Sequence, residues 1–85
     1  MNIYVRNLSY NLQDDELKQV FADFGEVSSA KIITDKYSGR SKGFGFVEMP
    51  DDSAAMKAIE ALNNADIKGR NIVVAKANPP KEREN

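Results

Sequence analysis

Three aromatic residues carry the chemistry open to this sequence. Phe44 and Phe46 stand two positions apart in "SKGFGFVEM", residues 41–49, and Tyr4 sits in the short apolar run "IYV", residues 3–5. Rings at alternate positions of a strand project from one face of a sheet, and exposed rings offer flat surfaces on which nucleobases stack. Arg6, Lys31 and Lys42 are placed to flank them, and a basic loop of residues 36–42 brings Arg40. The chain contains neither cysteine nor histidine, which leaves no disulfide framework, thiol nucleophile, imidazole base or zinc site of the usual kind. No metal site and no cofactor are expected.

Glu48 fixes which way the rings point. A lone carboxylate beneath packed helices would be costly, so positions of its parity, Lys42, Phe44 and Phe46, face away from the core. Val47 and Met49 then face inward, and Gly43 and Gly45 are expected to let a helix approach. The same alternation puts Ile3, Val5, Ala30, Ile32, Ile72 and Val74 inward. It puts Asn2, Tyr4, Arg6, Ser29, Lys31, Ile33, Asn71, Val73 and Ala75 outward.

The elements that position these residues follow from period and punctuation. "IYV" reads as a strand and "NLSYN" as a turn-rich connection. From Asp14, the residues Leu17, Val20, Phe21 and Phe24 recur at helical spacing, with three acids in the first turn and Gly25 as an expected left-handed stop. "EVSSAKIIT" is a second strand, "DKYSGRSK" a polar loop and "GFGFVEM" a third strand. Pro50 with Asp51, Asp52 and Ser53 starts a second helix, whose buried face is Ala55, Ala58, Ile59 and Leu62 and which Asn63 and Asn64 end. Gly69 and Arg70 read as a turn before a last strand, "NIVVAKA".

The order βαββαβ is that of an α+β, ferredoxin-like sandwich: a four-stranded antiparallel sheet with two helices on one face. Eighty-five residues suffice for one such domain, expected over residues 1–78, and for a charged, extended tail over residues 79–85. Its helices can cover only one side of the sheet. Tyr4, Phe44 and Phe46 therefore converge on an uncovered face, and an exposed apolar patch of that kind marks a binding surface unless a tail, loop or second copy covers it.

A net charge of −1 speaks against gripping nucleic acid by bulk positive charge. The charge is, however, segregated. Asp14, Asp15, Glu16, Asp23, Glu26, Asp51, Asp52 and Glu60 belong to the helical side, whereas Arg6, Lys31, Lys36, Arg40, Lys42 and Lys76 are assigned to the sheet face and its loop. So few cations leave base stacking to supply much of any affinity, at about 1–3 kcal/mol per base, and binding near the micromolar range is expected.

The stretch 42–49, "KGFGFVEM", resembles the RNP1 octamer of the RNA recognition motif at every defined position but the last, and "IYVRNL" resembles the RNP2 hexamer. "FADFGEV", "AIEALN" and "GRNIVVAKA" extend the likeness over about residues 2–78, and the chain looks most like the small single-domain RNA-binding proteins of bacteria. The resemblance implies that the two RNP strands lie side by side in mid-sheet and bind single-stranded RNA. It also implies that Tyr4 and Phe44 stack on successive bases, that Phe46 packs against sugars between them, and that Lys42 meets a phosphate. Lys76 and Asn78 are candidates where the last strand leaves the sheet, and Tyr37 either joins the stack or simply lies on its loop.

The chain departs from the pattern at a few positions. Met49 replaces an inward aromatic. Arg6 stands where small bacterial relatives usually have glycine, which adds a stacking or phosphate contact. Gln13 occupies a helix cap where Ser, Thr or Asp is commoner, and Asn64 stands where glycine is usual, as the best-tolerated substitute.

Two other function classes share the fold. One is a protein-interaction module using the sheet face or the helices. The other is an enzyme of the acylphosphatase kind, for which "VRNLSYN" makes a poor phosphate cradle; "GFGF", lying inside a strand, is likewise no dinucleotide fingerprint. The expected protein is a monomeric, cytoplasmic RNA binder acting as a post-transcriptional or RNA-chaperone-like regulator. It uses no small-molecule substrate, does not enter membranes, and accepts single-stranded DNA where the stacking platform does not discriminate.

Overall fold

The computed structural model describes residues 1–77, apart from the side chain of Ser41; Asn78 and the expected tail lie outside the described residues. Eight elements follow in order: β1 Asn2–Arg6, α1 Asp14–Ala22, β2 Ser29–Thr34, β3 Ser41–Glu48, α2 Asp52–Leu62, β4 Asp66–Ile67, β5 Arg70–Asn71 and β6 Val73–Lys76. Strands β2, β3, β1 and β6 form one antiparallel sheet in that spatial order, which is the expected ferredoxin-like arrangement. The two strands with the rings are the central ones.

Helix α1 forms because Leu17 and Phe21 bury one stripe while Asp14, Asp15 and Glu16 stand in its positive first turn. Gln13 caps it in an extended conformation, and the Glu16 carboxylate reaches back to accept the Gln13 N–H at 2.9 Å. Asp14 Oδ1 accepts the Ile32 N–H at 2.8 Å and so ties the helix start to β2. The helix ends without a left-handed glycine: Asp23 is right-handed at φ −65° and ψ −18°. Gly25 is there for another reason. A Cβ on it would lie 2.6 Å from the Ala54 Cβ, so its bareness lets the segment after α1 sit against α2.

Helix α2 is capped by Asp51, whose carboxylate accepts the N–H groups of Ser53 and Ala54 at 2.9 and 3.3 Å. Ala54, Ala55, Ala58 and Leu62 are buried, and small residues bring the helix close to the sheet. Asn64 beyond its end adopts φ 72°, the conformation for which glycine or asparagine is suited. Ile3, Val5, Val47, Met49, Ile72 and Val74 fill the sheet's inner face against Leu17, Phe21 and the α2 alanines. Met49 is fully buried, so its departure from the motif is a matter of core packing.

The last strand differs from expectation. Asn71 belongs to a two-residue ribbon, β4 with β5, whose turn is Lys68 at φ 54° and Gly69 at φ 84° rather than Gly69 and Arg70. Ile72 interrupts the run, and β6 begins at Val73. Two consecutive positive φ angles are what a tight two-residue hairpin needs, and Lys68 takes one despite its side chain. No helix among the described residues is long and apolar enough to cross a membrane.

Candidate nucleic-acid interface

Residues paired across antiparallel strands share a face, so the register lays out the open side of the sheet in rungs. One rung runs Lys31, Phe46, Tyr4, Ala75. The next runs Phe44, Arg6, Val73 toward one end of the strands, and Ser29, Glu48, Asn2 occupy the rung on the other side. The orientation read from Glu48 thus holds for all three rings.

The rings touch one another but do different things. Tyr4 and Phe46, directly opposite, have centroids 5.3 Å apart and planes inclined by 33°, the nearest to parallel of the three ring pairs. Phe44 stands edge-on to both, at 6.0 Å and 65° from Tyr4 and 6.4 Å and 89° from Phe46. Phe46 is the most exposed of the three at 42%, whereas Tyr4 and Phe44 are half-buried. Tyr4 with Phe46 is thus the pair nearest to parallel, and Tyr4 meets Phe44 edge to face.

The glycines beside them differ from expectation in what they admit, because the nearest neighbours of a Cβ at either one are not on a helix. A Cβ on Gly45 would lie 2.5 Å from the Lys31 carbonyl oxygen and 3.0 Å from the Ile32 Cα, so Gly45 admits the neighbouring strand. Gly43, at φ 87°, lies in a bulge where Lys42, Gly43 and Phe44 stand opposite Ile33 alone. The Leu8 N–H donates to the Gly43 carbonyl at 2.8 Å, and a Cβ on Gly43 would come within 3.3 Å of the Tyr10 ring. The bulge turns β3 where the first connection crosses it.

The cations divide between locations. Arg6 and Lys31 lie exposed on the open face beside Phe44 and Phe46, and Lys42 projects from the bulge. Lys76 does not join them: it pairs with Ile3, whose side chain is in the core, so its register puts it on the helical side of the free edge. Arg40 lies off the ring face, in a cleft of about 780 Å³ between the first connection and the β2–β3 loop, lined also by Tyr10, Asp14, Asp15 and Lys31. That loop is built rather than slack. The Asp35 N–H donates to the Arg40 carbonyl and the Gly39 N–H to the Asp35 carbonyl, each at 2.7 Å, and the Asp35 carboxylate accepts the Tyr37 N–H. Tyr37 is 91% exposed at its tip, with the Lys36 ammonium 6.0 Å from its ring centroid, and makes no contact with the three face rings.

Sequence reasoning missed a second feature at the Phe44 end. Asn7, in left-handed backbone at φ 61°, donates through Nδ2 to the Asn71 carbonyl and accepts from Arg70 Nη2, both at 2.7 Å. The same guanidinium lies over the Tyr10 ring, 5.9 Å from its centroid. Arg70 is thereby tied to Asn7, the residue that follows Arg6 in the chain, and among the described residues no carboxylate pairs with it. The one hint was an asparagine directly after a strand, a residue that accepts positive φ.

A ferredoxin-like sheet whose uncovered face gathers three aromatic rings on its two central strands defines a class of single-strand-binding domains. The sequence profile of the RNA recognition motif matches residues 3–73, and the chain belongs to that family. RbpB of Nostoc sp. (strain PCC 7120 / SAG 25.82 / UTEX 2576) is 46% identical over 83 residues, which cover 98% of this chain and 81% of RbpB. The crystal structure of RNA Binding Protein PG1 superposes with a TM-score of 0.90 at 46% identity, covering 94% of this chain and 98% of that one. The SXL-lethal protein/RNA complex superposes with a TM-score of 0.85 at 36% identity, over 89% of this chain and 47% of the other.

Proposed function

We propose that this chain binds single-stranded RNA across its open sheet face, with successive bases stacked on Tyr4 and Phe46 and with Phe44 set against the sugars between them. The observation that carries this reading is the gathering of Tyr4 and Phe46, 5.3 Å apart and 33° from parallel, with an edge-on Phe44 on the uncovered face of the sheet. Membership of the RNA recognition motif family and the likeness to a protein solved with RNA support it. Arg6 and Lys42 supply the phosphate contacts nearest the rings, Lys31 meets the ligand beside Phe46, and Arg40 serves strand that leaves the face over the β2–β3 loop.

Stacking faces accept any base, so single-stranded DNA is a second ligand, bound through the same rings. The domain spans residues 1–78 and acts as a monomer in the cytoplasm, as a small post-transcriptional or RNA-chaperone-like regulator without catalytic activity. Titration of the 15N-labelled protein with short mixed-sequence RNA tests this. Shifts concentrated in β1 and β3, abolished by Tyr4→Ala with Phe46→Ala, are expected. Shifts confined to α1 and α2, or none, would overturn it in favour of a protein-interaction module.

A further inference from the structure

The rung beyond Phe46 carries groups that stacking does not use. Ser29, Glu48 and Asn2 pair across β2, β3 and β1, so three polar side chains stand in line on the open face next to Phe46, the most exposed of the three face rings. With Phe46, Lys31 and Ala77 they line a concavity of about 240 Å³, room for one nucleobase and little more. No hydrogen bond or ion pair joins the side chains of Asn2, Ser29, Lys31 or Glu48 to any other described residue. A carboxylate on a surface meant for a polyanion repels phosphate, so its presence there needs a compensating partner in the ligand.

A carboxylate is acceptor-only, and its two oxygens match a pair of parallel N–H donors. Guanine offers that pair on its Watson–Crick edge, N1–H beside the 2-amino group, with O6 next in line as an acceptor. Adenine and cytosine put one amino group beside a bare acceptor nitrogen, and uracil puts one N–H between two carbonyls, which a carboxylate repels. Lys31, paired with Phe46 and lining the same concavity, supplies a cationic donor for O6. We infer that Glu48 and Lys31 form a base-reading edge that selects guanine for the nucleotide stacked on Phe46. The inference rests on the RNA-binding reading above and adds a sequence preference to it.

The test measures fluorescence anisotropy with pentauridylate RNA and with pentamers carrying a single guanine, adenine, cytosine or inosine at each position in turn. The wild-type protein is expected to favour guanine at one position by at least about fivefold over the other three standard bases. Inosine, which keeps N1–H and lacks the 2-amino group, should lose part of that preference. Glu48→Gln, an exposed substitution whose fold circular dichroism checks, should collapse the guanine-to-uracil ratio to near one, whatever it does to absolute affinity. Phe46→Ala should weaken all pentamers together. Absence of a guanine-preferring position, or a ratio unchanged in Glu48→Gln, would overturn the inference while leaving RNA binding intact. If no pentamer binds the wild-type protein, the RNA-binding reading itself falls, and this inference with it.

Discussion

Ile3 and Tyr4 are neighbours in one strand, yet the first is wholly buried under the helices and the second stands on the uncovered face. Their partners across the sheet repeat the division, Val47 at 1% exposure behind and Phe46 at 42% in front. The rear face is aliphatic and branched, filling space against small residues of α2. The front face is aromatic and cationic, and its rings gain only part of the burial they could have. A sheet of this size could have hidden its rings and shown its valines, which would have given more buried area. The opposite choice shows which face was shaped for stability and which for a ligand.

The largest effects come from exchanging demands between the faces. Ile3→Ala should destabilise the fold by about 2–5 kcal/mol, because the cavity it leaves lies in a fully packed core. For a domain of this length each kcal/mol lowers the melting midpoint by about 4–8 °C, so calorimetry reads the loss directly. Tyr4→Ala and Phe46→Ala should each take about 1–3 kcal/mol from RNA affinity with a far smaller change in melting. A Tyr4→Ala protein that melts as early as Ile3→Ala would mean that the rings are core after all.

Gly45→Ala acts on both faces through the backbone. Its new Cβ would meet the Lys31 carbonyl at 2.5 Å, so β2 and β3 must shift where Phe46 and Lys31 pair. A loss of about 1–3 kcal/mol in stability is expected, in the range of overpacked sites. The loss should be accompanied by weaker RNA binding, which titration of the folded variant at low temperature would separate from unfolding. Arg70→Ala sharpens the front face further. If its guanidinium meets one phosphate, the slope of log affinity against log salt should fall by about 0.7, with stability nearly unchanged.

The architecture was legible from the order of the elements, and the direction of Phe44 and Phe46 because Glu48 set the parity of β3, as alternation in β1 did for Tyr4. Lys76 obeys the same alternation: its register with Ile3 puts it on the helical side and not, as expected, on the sheet face. Which two rings come nearest to parallel was not legible from types alone, since spacing gives a side but not a tilt. Gly25, Gly43 and Gly45 each looked like a place for a helix to end or approach. What each admits, an alanine of α2, a tyrosine ring or a strand carbonyl, depends on contacts between segments distant in sequence. The β4–β5 ribbon, two residues to a strand, is too short to leave a periodic signal, and so Arg70 and its tether to Asn7 were invisible.

The smallest expected effect isolates the rear of the molecule. Lys68, at the turn of that ribbon, places its ammonium 2.9 Å from Glu16 in the first turn of α1. The hydrogen bond from Lys68, with help from the Gln13 N–H, holds the Glu16 carboxyl below its usual range. A carboxyl whose folded value is depressed contributes stability above its unfolded value and loses it as pH falls through the folded one. Both partners are well solvated, so the contribution is slight and screened by salt. Melting midpoints of wild type and Glu16→Gln should therefore differ a little near neutrality and converge as acid protonates Glu16. Curves that run parallel down to strong acid would show that the pair contributes nothing, and would leave the ribbon to its other tethers, among them the bonds of Asn7 and Asn71.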